Sequence, residues 1–164
     1  MYVLDATPLI YLAKADALGV LDGFETVTTQ AVYDEVVVRG KEAEAPDARR
    51  IERYDPEVTE SPRNETYSRL SDTDRLSDAN LGVLTLADER NATAVMDEKR
   101  GRTVAEVEGI DVRGTAYLLL NSVKYDATEA DEAREILDDM VDSGWYCSTS
   151  FYSDILDKLD EMRD

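Results

Sequence analysis

The sequence predicts an α/β domain in which a parallel sheet is covered by helices on both faces. Three observations carry that prediction. Short apolar or β-branched runs, among them Tyr2–Leu4, Thr26–Thr29 and Thr93–Met96, alternate with longer segments of helical periodicity, which is the pattern of βαβ units. Two of these runs end abruptly in an aspartate, Asp5 and Asp97, and each aspartate precedes a helix. Finally, 164 residues suffice for one hydrophobic core, and no repeat or low-complexity linker divides them. One domain is therefore expected over residues 1–164.

Taken in order, Tyr2–Leu4 is the first strand, with Asp5 at its end. Thr7 is a good N-cap and Pro8 suits the first helical position, so a helix is expected from Pro8 to about Leu18. Gly19–Glu25 is a turn region, and Thr26–Thr29 a strand. Gln30–Arg39 reads as a helix with Val32 and Val36 on one face and Gly40 as its C-terminal stop. Pro46–Tyr54 is an exposed helix, Glu57–Thr59 a short strand, Ser61–Thr66 a loop and Ser71–Arg75 a polar connection. Ser77 with Asn80 three residues on is a variant capping box, opening a helix to Arg90 that buries Leu81, Val83, Leu84 and Ala87. Thr93–Met96 is a strand, Lys99–Val107 a helix and Ile110–Val112 a strand, and Gly114–Thr115 opens a helix over Ala116–Val123. Thr128 caps a helix that Gly144 ends, and a last helix follows Ser148–Thr149.

Composition narrows the chemistry. There is no histidine, and Cys147 is the only cysteine, so His-based nucleophilic catalysis, His-ligated metals, thiolate zinc sites and internal disulfides are all excluded. No membrane span and no secretory signal are expected, which implies a cytoplasmic protein. The formal net charge is −19, which repels nucleic acid in dilute buffer. The acids are scattered through amphipathic segments, however, and in molar salt the screening length falls to roughly 3 Å. The acidity is read as a salt-adapted, halophilic surface that says little about the partner.

What remains is carboxylate chemistry. Parallel strands would bring Asp5 and Asp97 to one edge of the sheet, the edge where ligands bind in open α/β folds. Glu35 flanks the buried stripe of its helix, and Asp78 and Asn80 lie in the first turn of another. Each alone is an ordinary surface feature in so acidic a chain. Together they form a hard oxygen set suited to Mg²⁺ or Mn²⁺, and such clusters support hydrolysis of phosphodiesters.

Four motifs then occur in order: Val-Leu-Asp5-Ala-Thr7-Pro-Leu-Ile, Val-Tyr-Asp-Glu35-Val-Val, Leu-Ser-Asp-Ala-Asn80-Leu-Gly-Val-Leu-Thr-Leu-Ala and Val-Met-Asp97-Glu-Lys-Arg-Gly-Arg102. Together they resemble PIN-domain ribonucleases, most closely the VapC-like branch of prokaryotes, over about residues 1 to 120. With the charge excess, the resemblance points to a haloarchaeal source. It implies a three-layer α/β/α sandwich and Mg²⁺- or Mn²⁺-dependent endonuclease cleavage of RNA, often as the toxin of a toxin–antitoxin pair. A homodimer and an antitoxin partner are implied in the same way. Asp5, Glu35 and Asp97 match the family's acidic metal positions, and Thr7 matches a hydroxyl that supports the first aspartate. Asn80 stands where the family usually has a further acid; Asp78 is nearby, but two residues along a helix point elsewhere. The chain is a natural weakened enzyme, an engineered inactive variant or a site that works with three acids.

Other features are weighed against bland readings. Lys99, Arg100 and Arg102 follow Asp97 and are assigned to RNA phosphates, with Lys14 and Arg39 joining them; surface ion pairing explains them equally well. Trp145-Tyr-Cys147 and Phe151-Tyr152 suit base stacking but better suit packing of the last helix. A phosphoaspartyl phosphatase would need a second acid where Thr7 stands, and a receiver domain a lysine where Arg113 stands. The stronger rival is a non-catalytic PIN module that binds RNA or a protein partner.

Overall fold

The structure, a computed structural model, describes residues 1–72 and 76–163. Five short strands, β1 (Tyr2–Leu4), β2 (Thr26–Thr29), β3 (Val58–Thr59), β4 (Thr93–Val95) and β5 (Val112–Arg113), form one sheet in the order β3-β2-β1-β4-β5. All its pairings are parallel, and helices cover both faces in a three-layer α/β/α arrangement. The register sets Leu4 opposite both Thr28 and Val95, so β1 lies at the centre and its carboxyl end beside that of β4.

The first helix, α1 (Ala6–Lys14), starts earlier than expected. Asp5 is still extended, its N–H donating to the Val95 carbonyl at 3.0 Å, and the chain turns helical at the next residue. Thr7 and Pro8 therefore both sit inside the first turn. Proline is tolerated there because N–H groups of a first turn have no intrahelical partner. α1 also stops short of Leu18: Asp16 takes a left-handed conformation at φ 52°, and Leu18–Gly23 forms a 3-10 turn.

The next helical segment is continuous but irregular. α2 (Gln30–Tyr33), a π-helical turn over Asp34–Val38 and α3 (Arg39–Glu42) follow one another. Gly40 is not its stop. The small residue lies where a Cβ would come 2.8 Å from the Ala48 Cβ, so it lets this helix approach α4 (Pro46–Tyr54). Nor is α4 exposed: Ala48 and Ile51 are fully buried and the helix packs against α1.

Ser61–Thr66 is not all loop either, since α5 (Glu65–Ser71) starts within it. Asn64 caps α5 by accepting the Tyr67 N–H at 3.0 Å, a cap that the sequence reading overlooked. Of the polar connection 71–75, residues 73–75 lie outside the described residues.

α6 (Asp78–Arg90) packs across β1, β2 and β4. Every residue from Ala79 to Ala87 is buried, more than one stripe, because the helix has the sheet on one side and α5 on another. α7 (Lys99–Glu108) ends at Gly109, whose φ of 74° turns the chain. Ile110 is spent in that turn, so β5 starts two residues later than expected, at Val112. α8 (Thr115–Lys124), α9 (Ala130–Asp142) and α10 (Thr149–Glu161) complete the chain. Thr128 does not cap α9; Glu129 holds that position without a side-chain bond. Gly144, at φ 106°, does end it.

Candidate active site at the carboxyl edge of the sheet

Asp5 is the deepest carboxylate of the carboxyl edge, only 4% exposed. Its pKa is pushed from 3.8 to about 7, first by burial and then by the negative fields of Glu35, Glu98 and Asp97; the Ala6 N–H acts in the opposite sense. An ionised group in an apolar setting favours its neutral form unless a cation or donors compensate. The two strand-end aspartates thus share an electrostatic field, as their parallel placement requires, and two glutamates join it.

Asp97 is held quite differently. Thr115, at the start of α8, donates its N–H to Oδ1 at 2.8 Å and its hydroxyl to Oδ2 at 2.6 Å. The indole N–H of Trp145 donates to Oδ2 at 3.1 Å. Three donors therefore fix the carboxylate plane, and Oδ1 keeps a lone pair for a further partner. The residue preceding Thr115 has to be small: a Cβ on Gly114 would come 2.8 Å from Asp97 Oδ1 and 2.8 Å from the Arg102 guanidinium.

Asn80 is buried in the first turn of α6. Ser77 caps that turn as expected, accepting the Asn80 N–H at 3.1 Å. The other half of the capping box is missing, because the Asn80 side-chain amide donates to Glu98 Oε2. Glu35 lies exposed on the π turn. The widened turn buries the consecutive residues Val36 and Val37 and leaves Glu35 on the open side. Such turns often occur at functional sites.

The remaining sequence candidates lie elsewhere. Asp78 is exposed at the first position of α6, two residues from Asn80. Thr7 is half-buried and makes no side-chain hydrogen bond among the described residues. Lys14 is in the last turn of α1 over the Tyr11 ring, roughly 14 Å along the helix from Asp5 at 1.5 Å per residue; the structure does not bring it to the site. Lys99 and Arg102 lie one turn apart on the same face of α7, and Arg100 is exposed off that face.

Three contributors were not read from the sequence: Glu98, Thr115 and Trp145. Glu98 had a signal, being a second acid adjacent to Asp97. Thr115 had a weaker one, since it opens the helix after β5 on the same edge. Trp145 was read only as an aromatic for stacking or helix packing, and nothing in the sequence linked it to Asp97, 48 residues away.

The donor set is chemically right for a hard divalent cation, being carboxylate and amide oxygens with no His or Cys. A buried carboxylate with a pKa near 7 among three acidic neighbours is also a group that such a cation would hold ionised. Among the described residues, however, no three acidic side chains already converge to ligating distance. Glu35 and Glu98 are exposed, so neither side chain is held in place by packing.

The model of the PIN-domain family DUF3368 matches residues 1–161, nearly the whole chain, and the chain belongs to that family. PIN domains are generally nucleases, so the fold is of a nuclease type. No curated protein and no solved structure gives a significant match. Among the described residues, no helix is long and apolar enough to cross a membrane.

Proposed function

We propose that the chain is a Mg²⁺- or Mn²⁺-dependent endoribonuclease of the VapC-like branch, acting as the toxin of a toxin–antitoxin pair. In this reading it is a homodimer working in the cytoplasm of a salt-adapted cell, under the control of an antitoxin. The observation that carries the reading is the buried Asp5 at the carboxyl edge of the sheet, beside the end of β4 and in the field of Glu35, Glu98 and Asp97.

Asp5, Glu35, Asp97 and Glu98 would hold the ion, with the Asn80 carbonyl as a neutral ligand. When bound, a divalent ion polarises the phosphodiester and makes an attacking water more acidic. The chain's own residues do the rest. The walls around Asp5 keep bulk water from its carboxylate, which strengthens its attraction to a cation. Thr115 and Trp145 hold Asp97 in one orientation, and Lys99 and Arg102 stand beside it where phosphate charge has to be balanced.

One observation favours the rival, a non-catalytic module that binds RNA or a protein partner. Asn80 adds no charge, and its amide donates to Glu98, a carboxylate that the metal would otherwise claim. Incubating a mixed RNA pool in molar KCl with Mn²⁺ separates the two. Cleavage by the chain, strengthened by Asn80→Asp and abolished by Asp5→Asn, is the expected result. Folded protein that fails to cleave even as Asn80→Asp would hand the assignment to the binding module, and full activity in Asp5→Asn would remove Asp5 from the site.

A further inference from the structure

One groove reverses the charge balance of the molecule. It opens beside Asp97 between α7, the first turn of α8 and the connection into α10, and its volume is about 650 Å³. Four cations line it, Lys99, Arg102, Arg113 and Lys158, against two carboxylates, Asp97 and Glu106. In the whole chain the acids outnumber the bases 37 to 18. Arg113 is tied to Asp111 at 2.8 Å, but Lys99, Arg102 and Lys158 make no ion pair among the described residues. Where acids are this abundant, unpaired cations gathered in one groove call for an anionic occupant.

The opposite lining is aromatic. Trp145 is 5% exposed with its edge committed to Asp97, while Tyr146 is 88% and Phe151 43% exposed. The Trp145 and Phe151 rings lie 6.3 Å apart. Exposed aromatic faces beside Lys and Arg are how proteins hold single-stranded nucleic acid: bases stack on the rings, and cations neutralise the backbone. A duplex hides its base faces, so it would use only the cations. Packing of the last helix accounts for Trp145 but not for Tyr146, whose ring lies almost wholly in solvent.

We propose that this groove binds a short stretch of single-stranded RNA next to the phosphate to be cleaved, its bases on Tyr146 and Phe151 and its phosphates on Lys99, Arg102 and Lys158. The position relative to cleavage rests on the nuclease reading; the binding itself does not. Stacking is short-ranged, so it survives in salt concentrations that suppress the long-range repulsion of a −19 chain.

Trp145, the only tryptophan, reports on the groove directly. Its fluorescence is titrated with a single-stranded oligouridylate in molar KCl with a chelator present, so that no cleavage occurs. Saturable quenching is expected. Tyr146→Ala and Phe151→Ala should each weaken binding by roughly tenfold, the usual scale for losing one stacked base. Both rings are exposed, so the fold should survive either change. Lys158→Ala should lower the slope of log affinity against log salt by about 0.7, as for one lost single-strand phosphate contact. Affinity unchanged in both aromatic variants overturns the proposal. So does tighter binding of an acidic Glu-Tyr peptide that is lost in the same variants, which would make the groove a protein-partner site. Asp5→Asn is carried in parallel. If it abolishes cleavage while the aromatic variants bind RNA normally, the groove fails and the nuclease stands. If nothing cleaves but both aromatic variants lose RNA, the groove stands and the nuclease fails.

Discussion

Asp5 and Asp97 come from the same local pattern, an apolar strand ending in aspartate before a helix, yet they are opposite in physical state. Asp5 is buried with a pKa raised to about 7. Asp97 is half-buried and receives three hydrogen bonds, two from Thr115 and one from Trp145. Strand topology alone puts both on one edge. What separates them is where the later chain goes: α8 and the α9–α10 connection bring donors to Asp97, while Asp5 is covered by packing and faced by other acids. In the proposed cation site the pair would divide two tasks. One carboxylate is held in place beforehand, and the other is left with an unmet preference for positive charge.

The largest test of this contrast is the pH dependence of stability without metal. A folded pKa raised from 3.8 to about 7 means that the folded chain binds the Asp5 proton more tightly than the unfolded one. That contribution is fully present below pH 3.8 and is lost as pH rises through about 7, a change of roughly 4 kcal/mol. Asp5→Asn should remove it, leaving the variant more stable than the parent at pH 8 and similar near pH 4. Urea denaturation at both pH values, with a chelator present, provides the measurement. Equal stability of the two proteins at pH 8 would mean that Asp5 is compensated after all. Added Mn²⁺ should stabilise the parent and have far less effect on the variant.

A smaller effect is expected on the other side. Thr115→Val keeps the shape of a fully buried residue and removes only the hydroxyl donor 2.6 Å from Asp97. Hydrogen bonds to charged groups contribute about 1.5–3 kcal/mol, so urea denaturation at pH 7 should show a loss of about 2 kcal/mol. A loss below about 0.5 kcal/mol would mean that the Thr115 backbone N–H and Trp145 fix Asp97 without it.

The fold was largely legible because the parallel sheet follows from alternation alone, and the strands β1, β2 and β4 are marked by β-branched and apolar runs. Two of the misplacements occur where a tertiary contact overrides a local cue. Pro8 suggested a helix start, but the Asp5 N–H bonds to the Val95 carbonyl and the helix begins at Ala6, two residues further back. Gly40 suggested a stop, but it serves the approach of Ala48. In the site, Asp5 and Asp97 were readable because strand ends have a fixed place in such sheets. Glu98 was hidden by its ordinary look as a surface acid, and Trp145 by its distance along the chain. The field around Asp5 depends on burial, which no short motif records.

Asp78 closes the series with the smallest effect. As sequence it competed with Asn80 for a place in the metal site, being an acid in the right turn of the right helix. The structure separates the two residues by their direction around the helix: Asn80 is 8% exposed and bonded to Glu98, whereas Asp78 stands in solvent at the first position of α6. Among the described residues its charge there meets only the positive end of the helix, an interaction of about 0.3–1 kcal/mol that salt screens. Asp78→Asn should therefore cost at most about 0.5 kcal/mol in molar KCl and leave the Mn²⁺-induced stabilisation of the parent unchanged. Comparing that stabilisation between Asp78→Asn and Asp5→Asn is the sharpest form of the test. A loss in both would mean that the helix turns Asp78 toward the ion when metal binds, so the acid missing at Asn80 is supplied from two residues away.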